Sequence, residues 1–195
     1  MTEGTSLVKE GTKAILTFLF DILETIVIAF AIFAVVYIFI ASPHEVIGKS
    51  MEPDFYEGEF LLADKITYKF REPRRGEVVI FQFDDTHDYI KRVIGLPGDT
   101  VEIKDGDVYL NEEILIESEY LKNSVRTSNG NFMTPGRKEV VPEGYMFAMG
   151  DNRSHSSDSR NFGMVKEDSI KGRAIVRYWP FDSFTMIPKV TYEFM

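Results

Sequence analysis

The pattern of apolar and polar residues divides the chain into one long apolar run and a series of short alternating segments. Residues 16–40 are interrupted only by Asp21 and Glu24, and no charged residue occurs between residues 25 and 40. About 20 apolar residues are enough for an α-helix to cross a bilayer. A buried core helix is the alternative, but the remaining domain is too small to cover a helix that is apolar on nearly every side. The pattern therefore predicts one transmembrane helix over residues 16–41.

The flanks of this run predict its fate and its orientation. The run is longer than the apolar core of a cleavable signal peptide, and residues 41–43 fit a small-x-small cleavage site poorly. Lys9 and Lys13 precede the run, so the positive-inside bias predicts a cytoplasmic segment at residues 1–15. Residues 42–195 are then expected outside the cytoplasm, held at the cell membrane by a retained single-pass anchor.

The short segments beyond the run are typical of β-strands. Residues 78–83 are apolar except for Gln82 over the length of one strand, which indicates a strand covered on both faces. Asp105-Gly106 lies between two alternating segments and predicts a type I′ hairpin. Segments of this kind occupy residues 59–64, 78–83, 89–94, 100–104, 107–110, 145–149 and 173–178. We expect a mainly β fold, with a coiled antiparallel β-sheet catalytic domain behind one N-terminal transmembrane helix.

Composition removes several classes of function. The 195 residues suffice for one domain of about 150 residues and an extra segment. The absence of cysteine excludes disulfides, thiolate metal sites and a cysteine nucleophile. A net charge of −9 without a basic block makes nucleic acid an unlikely partner. No metal site is expected either, because the three histidines (His44, His87, His155) are scattered and no carboxylate run has EF-hand spacing.

Ser50 is a candidate nucleophile in a polar turn, Gly48 to Pro53, just past the apolar run. A serine hydroxyl is a weak nucleophile at neutral pH and needs a base beside it. The candidate base is Lys91, which β-branched and aromatic residues flank. Each assignment has an ordinary alternative, since such a serine is most often a turn residue and a strand lysine most often points to water. Lys91 and Arg92 face opposite sides of a strand, so one of the two is expected to be buried or paired.

A third polar segment, residues 150–163, packs two aspartates, two arginines and four serines between apolar strands. An isolated segment of this kind indicates a surface loop of Asx turns. The order of the motifs changes that interpretation. They are a membrane helix, Ser50-Met51-x-Pro53, Gly76-Glu77-Val78-Val79, Lys91-Arg92-Val93-Ile94-Gly95-x-Pro97-Gly98-Asp99, Gly150-Asp151-Asn152-Arg153 and Ser156-x-Asp158-Ser159-Arg160.

In this order the motifs resemble the sequence boxes of type I signal peptidases, which are membrane-anchored Ser/Lys proteases that cut signal peptides from exported proteins. The resemblance spans residue 16 to about residue 180. It implies that Ser50 is the nucleophile and Lys91 the general base. Residues placed beside the oxyanion and the substrate are Gly48, Ser50 and Met51. The supporting residues are Ser156, which would orient the lysine amine, the Asp158–Arg160 ion pair, and the structural carboxylate of Asp151.

The resemblance also implies the substrate and the partners. The expected reaction is cleavage of signal-peptide-bearing preproteins at the membrane surface, after small residues at the first and third positions before the cut. The expected partners are these preproteins and the lipid bilayer, with no cofactor, and a monomer is expected.

The sequence departs from the family pattern at two positions. Asp54 stands where many members have threonine, which would either alter the turn or bring a charge near the cleft. Gly48 stands where some members have a serine that joins the oxyanion hole, so the hole would depend on the Ser50 backbone N–H. Residues 105–143 form a short segment, so the second subdomain of larger members is expected to be small or absent.

Three other functions remain open at this point. A repressor-type Ser/Lys autoprotease would normally carry a DNA-binding helical module where this chain has its apolar run. A Ser/His/Asp hydrolase that uses His155 would lack the Gly-x-Ser-x-Gly elbow and would leave Lys91 unexplained. The third alternative is a catalytically inactive, membrane-tethered β module that binds extended peptides.

Overall fold

The computed structural model describes residues 2–122 and 124–194. They divide into two compact units, of which the first ends at Ile40 and the second begins at Ala41. The first unit is helical and the second is built mainly from antiparallel strands.

The first unit is the α-helix α1, Thr2–Val35, followed by a π-helical turn, Val36–Ile40. Over Ile15–Ile40 the mean hydropathy is 2.6 and none of the residues is buried inside the protein. An exposed apolar helix of this length fits a single-pass membrane anchor. It is the one such helix in the described residues.

The helix differs from the sequence prediction at both ends. It begins at Thr2 instead of near residue 16, because helix propagation is cooperative and extends into the polar flank. Ala41 was predicted as the last helical residue but begins the strand β1, Ala41–Glu45. Pro43 lies in this strand and cannot continue a helix, whereas an edge strand tolerates it.

The second unit consists of strands and a few short helical turns. The further strands are β2 Phe60–Asp64, β3 Val78–Gln82, β4 Asp88–Gly95, β5 Thr100–Lys104, β6 Asp107–Leu110, β7 Glu113–Ile116, β8 Glu139–Val140, β9 Tyr145–Met149, β10 Val165–Lys166, β11 Ile170–Trp179, β12 Thr185–Met186 and β13 Glu193–Phe194. The helical segments are α2, Ser159–Phe162, and three 3₁₀ turns at Thr67–Lys69, Glu167–Ser169 and Phe181–Ser183.

These strands form two sheets in which every recorded pairing is antiparallel. The larger sheet has the order β1-β2-β11-β3-β4-β9-β10, with β12 paired to β11. The smaller sheet has the order β13-β7-β6-β5-β8. Register shifts in β4 and β11 bend the larger sheet, which gives the coiled shape expected from the sequence.

The buried side chains form three clusters, and two of them support the polar residues described below. One lies beneath the turn that carries Ser50 and consists of Val46, Met51, Phe55, Leu61, Val78 and Ala174. Another packs Ile94 and Phe147 of the larger sheet against the smaller one. The third contains Val79, Phe81 and Val93. Residues 78–81 of β3 are at most 2% exposed, so this strand is covered on both faces, as its apolar sequence predicted.

The predicted hairpin is present between β5 and β6, with Lys104 opposite Asp107. Asp105 and Gly106 have φ angles of 54° and 87°, as a type I′ turn requires. Residues 105–143 contribute three short strands, β6, β7 and β8, to the smaller sheet, and the small or absent second subdomain stays a prediction.

Candidate active site

Ser50 lies in a turn between β1 and β2 that two sets of contacts fix in place. Met51 is only 1% exposed in the cluster beneath the turn, and its carbonyl accepts a 2.9 Å hydrogen bond from the Phe55 N–H. From the other side, Asn152 donates its backbone N–H to the Ser50 carbonyl and its side-chain amide to the Lys49 carbonyl, each at 3.0 Å. The turn is therefore held between the apolar cluster and the loop that follows β9.

Two backbone features of this turn bear on oxyanion binding. The Ser50 N–H donates to no other residue within the described part of the chain. Gly48 has a φ of 83°, and a Cβ built on it would meet no atom within 4 Å. The space that a serine would need at this position is present, but its backbone conformation favours glycine.

Lys91 reaches the serine from the middle of β4. Its Nζ lies 2.9 Å from Ser50 Oγ and 2.9 Å from the Ile90 carbonyl oxygen, and 5.0 Å from the centre of the Tyr89 ring. The lysine residue is 3% exposed. An amine at this distance from a hydroxyl is within reach for direct proton transfer.

Burial lowers the pKa of Lys91 from 10.5 to about 8, against the opposing negative charges of Asp158 and Asp151. Since the pKa falls because the charged form loses hydration, a neutral amine is accessible near neutral pH.

Arg92, the next residue of β4, points to the opposite face and is 1% exposed. Its guanidinium binds both carboxylate oxygens of Asp151, at 2.9 and 2.7 Å, and donates to the Gly76 carbonyl at 2.9 Å. The Tyr120 ring covers it at 4.1 Å. Lys91 and Arg92 are thus both buried, and each has hydrogen-bond partners. The sequence pattern predicted a buried or paired side chain for only one of them.

Asp54 joins the same cluster. Its carboxylate accepts a 2.6 Å hydrogen bond from Arg92 Nη2. Burial, followed by the nearby charge of Asp151, raises the pKa of Asp54 to about 6, although Arg92 opposes the shift. The sequence reasoning placed this charge near the cleft but missed its partner, because no spacing rule connects residues 54 and 92.

Asp158 and Arg160 form the predicted ion pair, with two contacts of 2.8 Å. Asp158 also accepts from the Gly150 N–H at 3.0 Å. Burial alone would raise the pKa of Asp158, but the hydrogen bond and charge of Arg160 outweigh it and keep that pKa below the ordinary value. The carboxylate therefore remains charged and ties the residue 158–160 segment to the end of β9.

Ser156 lies in this region but is not bonded to the lysine. Its buried Oγ lies close to the Asp158 carboxylate and helps to keep the pKa of Asp158 low, while Lys91 donates to Ser50 and to the Ile90 carbonyl. A Cβ added at Gly150 would collide with Ser156 Oγ and with the Ser50 carbonyl. Gly150 therefore allows the two serine-bearing loops to approach closely, and the orienting role of Ser156 stays a prediction.

The three histidines make their recorded contacts elsewhere. The His155 ring is exposed and contacts Ser154 Oγ and Asn152 Oδ1, at 2.9 and 3.2 Å. His44 contacts Ser42, and His87 contacts Asp84. In the described part of the chain no group of histidine, aspartate and glutamate has the arrangement of a metal site. The contacts of Ser50 thus favour the lysine as its base.

The fold and the Ser50–Lys91 contact define a class of protein: a mainly β hydrolase domain that presents a serine hydroxyl to a buried amine. The comparison with known proteins names the family within that class. The chain belongs to the signal peptidase family, peptidase S26, whose family model matches residues 19–179. Membership makes it a protease that cleaves signal peptides from preproteins.

Relatives cover most of the chain. Signal peptidase IB of Staphylococcus aureus strain Mu50 is 37% identical over 171 residues, which cover 82% of this chain and 89% of that protein. Signal peptidase I of Bacillus caldolyticus is 36% identical over 164 residues, covering 80% and 90%. A crystal structure of a signal peptidase I from Enterococcus faecalis V583 is 30% identical and covers 53% of this chain and 97% of that one, with a TM-score of 0.41.

Proposed function

We propose that Ser50 and Lys91 form the catalytic dyad of this signal peptidase. The observation that carries the proposal is the 2.9 Å contact between Ser50 Oγ and the Nζ of a buried lysine whose pKa is lowered to about 8. The neutral amine takes the hydroxyl proton while Oγ attacks the scissile carbonyl carbon. The Ser50 N–H stabilises the resulting oxyanion.

The same lysine completes the cycle. As an ammonium it returns the proton to the leaving amine when the peptide C–N bond breaks, which leaves an acyl ester on Ser50. A water molecule then attacks the ester carbonyl, again with Lys91 as base, and releases the signal peptide. The ion pair of Asp158 with Arg160 and the pair of Asp151 with Arg92 keep the surrounding loops in place.

We also propose that the substrate binds as an added strand beside the dyad. In β4, residues 92–95 pair with β9, whereas residues 88–91 have no partner strand on that side in the described chain. This backbone edge ends at Lys91 and offers main-chain hydrogen bonds to an extended segment. Alternate side chains of such a segment face the protein, which fits a requirement for small residues at the first and third positions before the cut.

We further propose that this reaction takes place at a membrane surface, which the apolar helix supports. We propose the arrangement that the sequence predicted: residues 1–15 in the cytoplasm, residues 16–41 in the bilayer, and the peptidase domain, residues 42–195, outside the cytoplasm. Cysteine substitutions at Ser6 and Ser118, labelled in intact cells with a membrane-impermeant thiol reagent, test the orientation. Labelling at position 118 alone is expected, and labelling at position 6 alone would reverse the assignment.

The dyad is tested by cleavage of a preprotein with the detergent-solubilised full chain. Ser50→Ala, Lys91→Ala and Lys91→Arg are each expected to abolish turnover, since a guanidinium stays protonated and cannot act as the base. His155→Ala is the matched control and is expected to retain most activity. An inactive His155→Ala protein together with an active Lys91→Ala protein would assign the base to the histidine instead.

A further inference from the structure

A cavity of about 560 Å³ lies on the peptidase domain between the segment at residues 71–78 and the C-terminal segment at residues 186–194. Neither Ser50 nor Lys91 lines it. Its floor is apolar and includes Val78 and Ala174, both buried. The cavity is thus separate from the site of peptide cleavage.

The walls of this cavity, called the C-terminal cleft below, are cationic, although the net charge of the chain is −9. Glu77 is the one acidic residue of the cleft lining. Five cationic side chains line it: Arg71, Arg74, Arg75, Arg173 and Lys189.

Glu77 neutralises only part of this charge because several donors share it. Arg71 forms two contacts with its carboxylate, Arg173 Nη1 lies 3.3 Å away, and the Tyr68 hydroxyl and the Arg74 backbone N–H donate to it at 2.9 Å. Outside the lining, Asp99 pairs with Arg75 at 2.6 Å. Arg173 is 3.7 Å from Asp64.

A surplus of donors remains after this pairing. The exposed side chains of Arg74 and Lys189 form no ion pair with any described residue. Arg173 Nε is buried and has no hydrogen-bond partner in the described chain. A buried donor without an acceptor is unfavourable, but this atom has no surface open to the cleft, so the donors available to a ligand are the exposed Arg74 and Lys189 side chains.

The C-terminal wall of the cleft is fixed to the rest of the domain. Tyr192 is buried and donates its hydroxyl to the Val93 carbonyl of β4 at 3.2 Å. Gly76 lies directly against Val190, where a Cβ would come within 2.6 Å of the Val190 carbonyl oxygen. The backbone segments that carry the donors of the two walls are therefore held at a set separation, which lowers the entropic penalty of binding between them.

We propose that this cleft binds a phosphate group. Donors that approach from three separate segments suit a tetrahedral oxyanion better than a planar carboxylate, and guanidinium groups match phosphate oxygens in pairs. The apolar floor and the neighbouring Ile187 accept a carbon chain attached to that phosphate. An anionic phospholipid headgroup and free phosphate share this chemistry.

The test measures binding by the full chain in a nonionic detergent at constant ionic strength. The probes are dihexanoyl phosphatidylglycerol, dihexanoyl phosphatidylcholine, inorganic phosphate and acetate, and the readout is the thermal unfolding midpoint over a concentration series. A phosphate ligand at several times its Kd is expected to raise the midpoint by about 2–4 °C. Phosphatidylcholine, whose charge is balanced by choline, and acetate are expected to leave it unchanged.

The variants replace the two unpaired cations and nothing else in the cleft. Arg74→Glu combined with Lys189→Glu is expected to weaken binding at least about tenfold, because two charge-assisted contacts are lost. The milder pair Arg74→Gln and Lys189→Gln keeps the test valid if charge reversal impairs folding. Lys104→Glu reverses an exposed charge outside the cleft and is expected to change the Kd by less than about twofold.

Each outcome decides the proposal. Shifts with both phosphatidylglycerol and inorganic phosphate show that the phosphate group is sufficient, a shift with the lipid alone assigns an anionic headgroup, and a shift with phosphate alone assigns the free anion. The proposal is overturned if no phosphate probe shifts the midpoint, if acetate shifts it equally, or if both double variants bind as the wild type does. Equal losses in Lys104→Glu would show a general charge effect and also overturn it.

Discussion

The pH dependence of cleavage is the most direct consequence of the Lys91 environment. The pKa of this lysine falls from 10.5 to about 8 because it is buried, a difference worth about 3 kcal/mol at 1.36 kcal/mol per unit. At pH 7 the neutral fraction is then about one in ten, compared with roughly three in ten thousand for an unperturbed lysine. Below pH 8, kcat/KM is expected to fall about tenfold for each unit of pH.

The assay is cleavage of a purified preprotein by the detergent-solubilised full chain between pH 5.5 and 9.5, at substrate concentrations well below KM. Under these conditions kcat/KM reports ionisations of the free enzyme and the free substrate. A preprotein without histidine near the cut removes the substrate contribution. The expected acid limb has an apparent pKa of about 8.

Two variants test whether a group other than Lys91 produces the acid limb. Asp54 has its pKa raised to about 6, mainly by burial, so it titrates below the expected limb. Asp54→Asn and His155→Ala should each leave a limb near pH 8. A wild-type limb near pH 6 that disappears in either variant would refute the assignment of the limb to the lysine.

The remaining predictions concern the turn, its support and the substrate. Asp151→Ala should lower the free energy of unfolding by about 3–5 kcal/mol, because it leaves the buried Arg92 without its main partner. The control Asp88→Ala removes an exposed ion pair and should lower the free energy of unfolding by less than about 1 kcal/mol. Equal denaturant midpoints for the two variants would contradict this prediction. Gly48→Ser should cost about 1–2 kcal/mol because its φ is 83°, while kcat/KM changes by less than about tenfold. Gly48→Ala separates strain from the added hydroxyl, and a greater loss of activity in folded Gly48→Ser would disprove the inferred geometry. Preproteins with Ala at the first and third positions before the cut should be cleaved faster than versions with Phe, and equal rates would exclude small pockets.

Local sequence rules predicted the elements whose cause is local. The Asp105-Gly106 hairpin follows from the φ angles that those residues tolerate, and the apolar run of β3 follows from burial on both faces. The structure also confirms the predicted mainly β fold with one apolar helix, because both follow from local patterns of apolar residues. Strands of two residues, such as β8 and β10, carry too few positions for a period to be read.

Elements with distant causes could not be predicted. β1 follows an apolar run without a turn signal, and it is a strand because residues 41–45 pair with residues 60–64 of β2. β13 extends the smaller sheet by pairing with β7, and the paired residues Glu193 and Ile116 are 77 positions apart in the sequence. The contact of Asp54 with Arg92 likewise depends on the fold, since only the completed sheet brings the two side chains together.

The alternation of side chains along β4 explains how separate motifs come to serve one site. Lys91 points to Ser50 on one face, and Arg92, the next residue, points to Asp151 on the other. The loop that carries Asp151 also supplies Asn152, which donates to the Ser50 carbonyl, so the two faces are linked through one short loop. A shift of β4 by one residue would exchange Lys91 and Arg92 and would remove both contacts together. The register of this strand therefore determines both the position of the Lys91 amine and the support of the turn that carries Ser50.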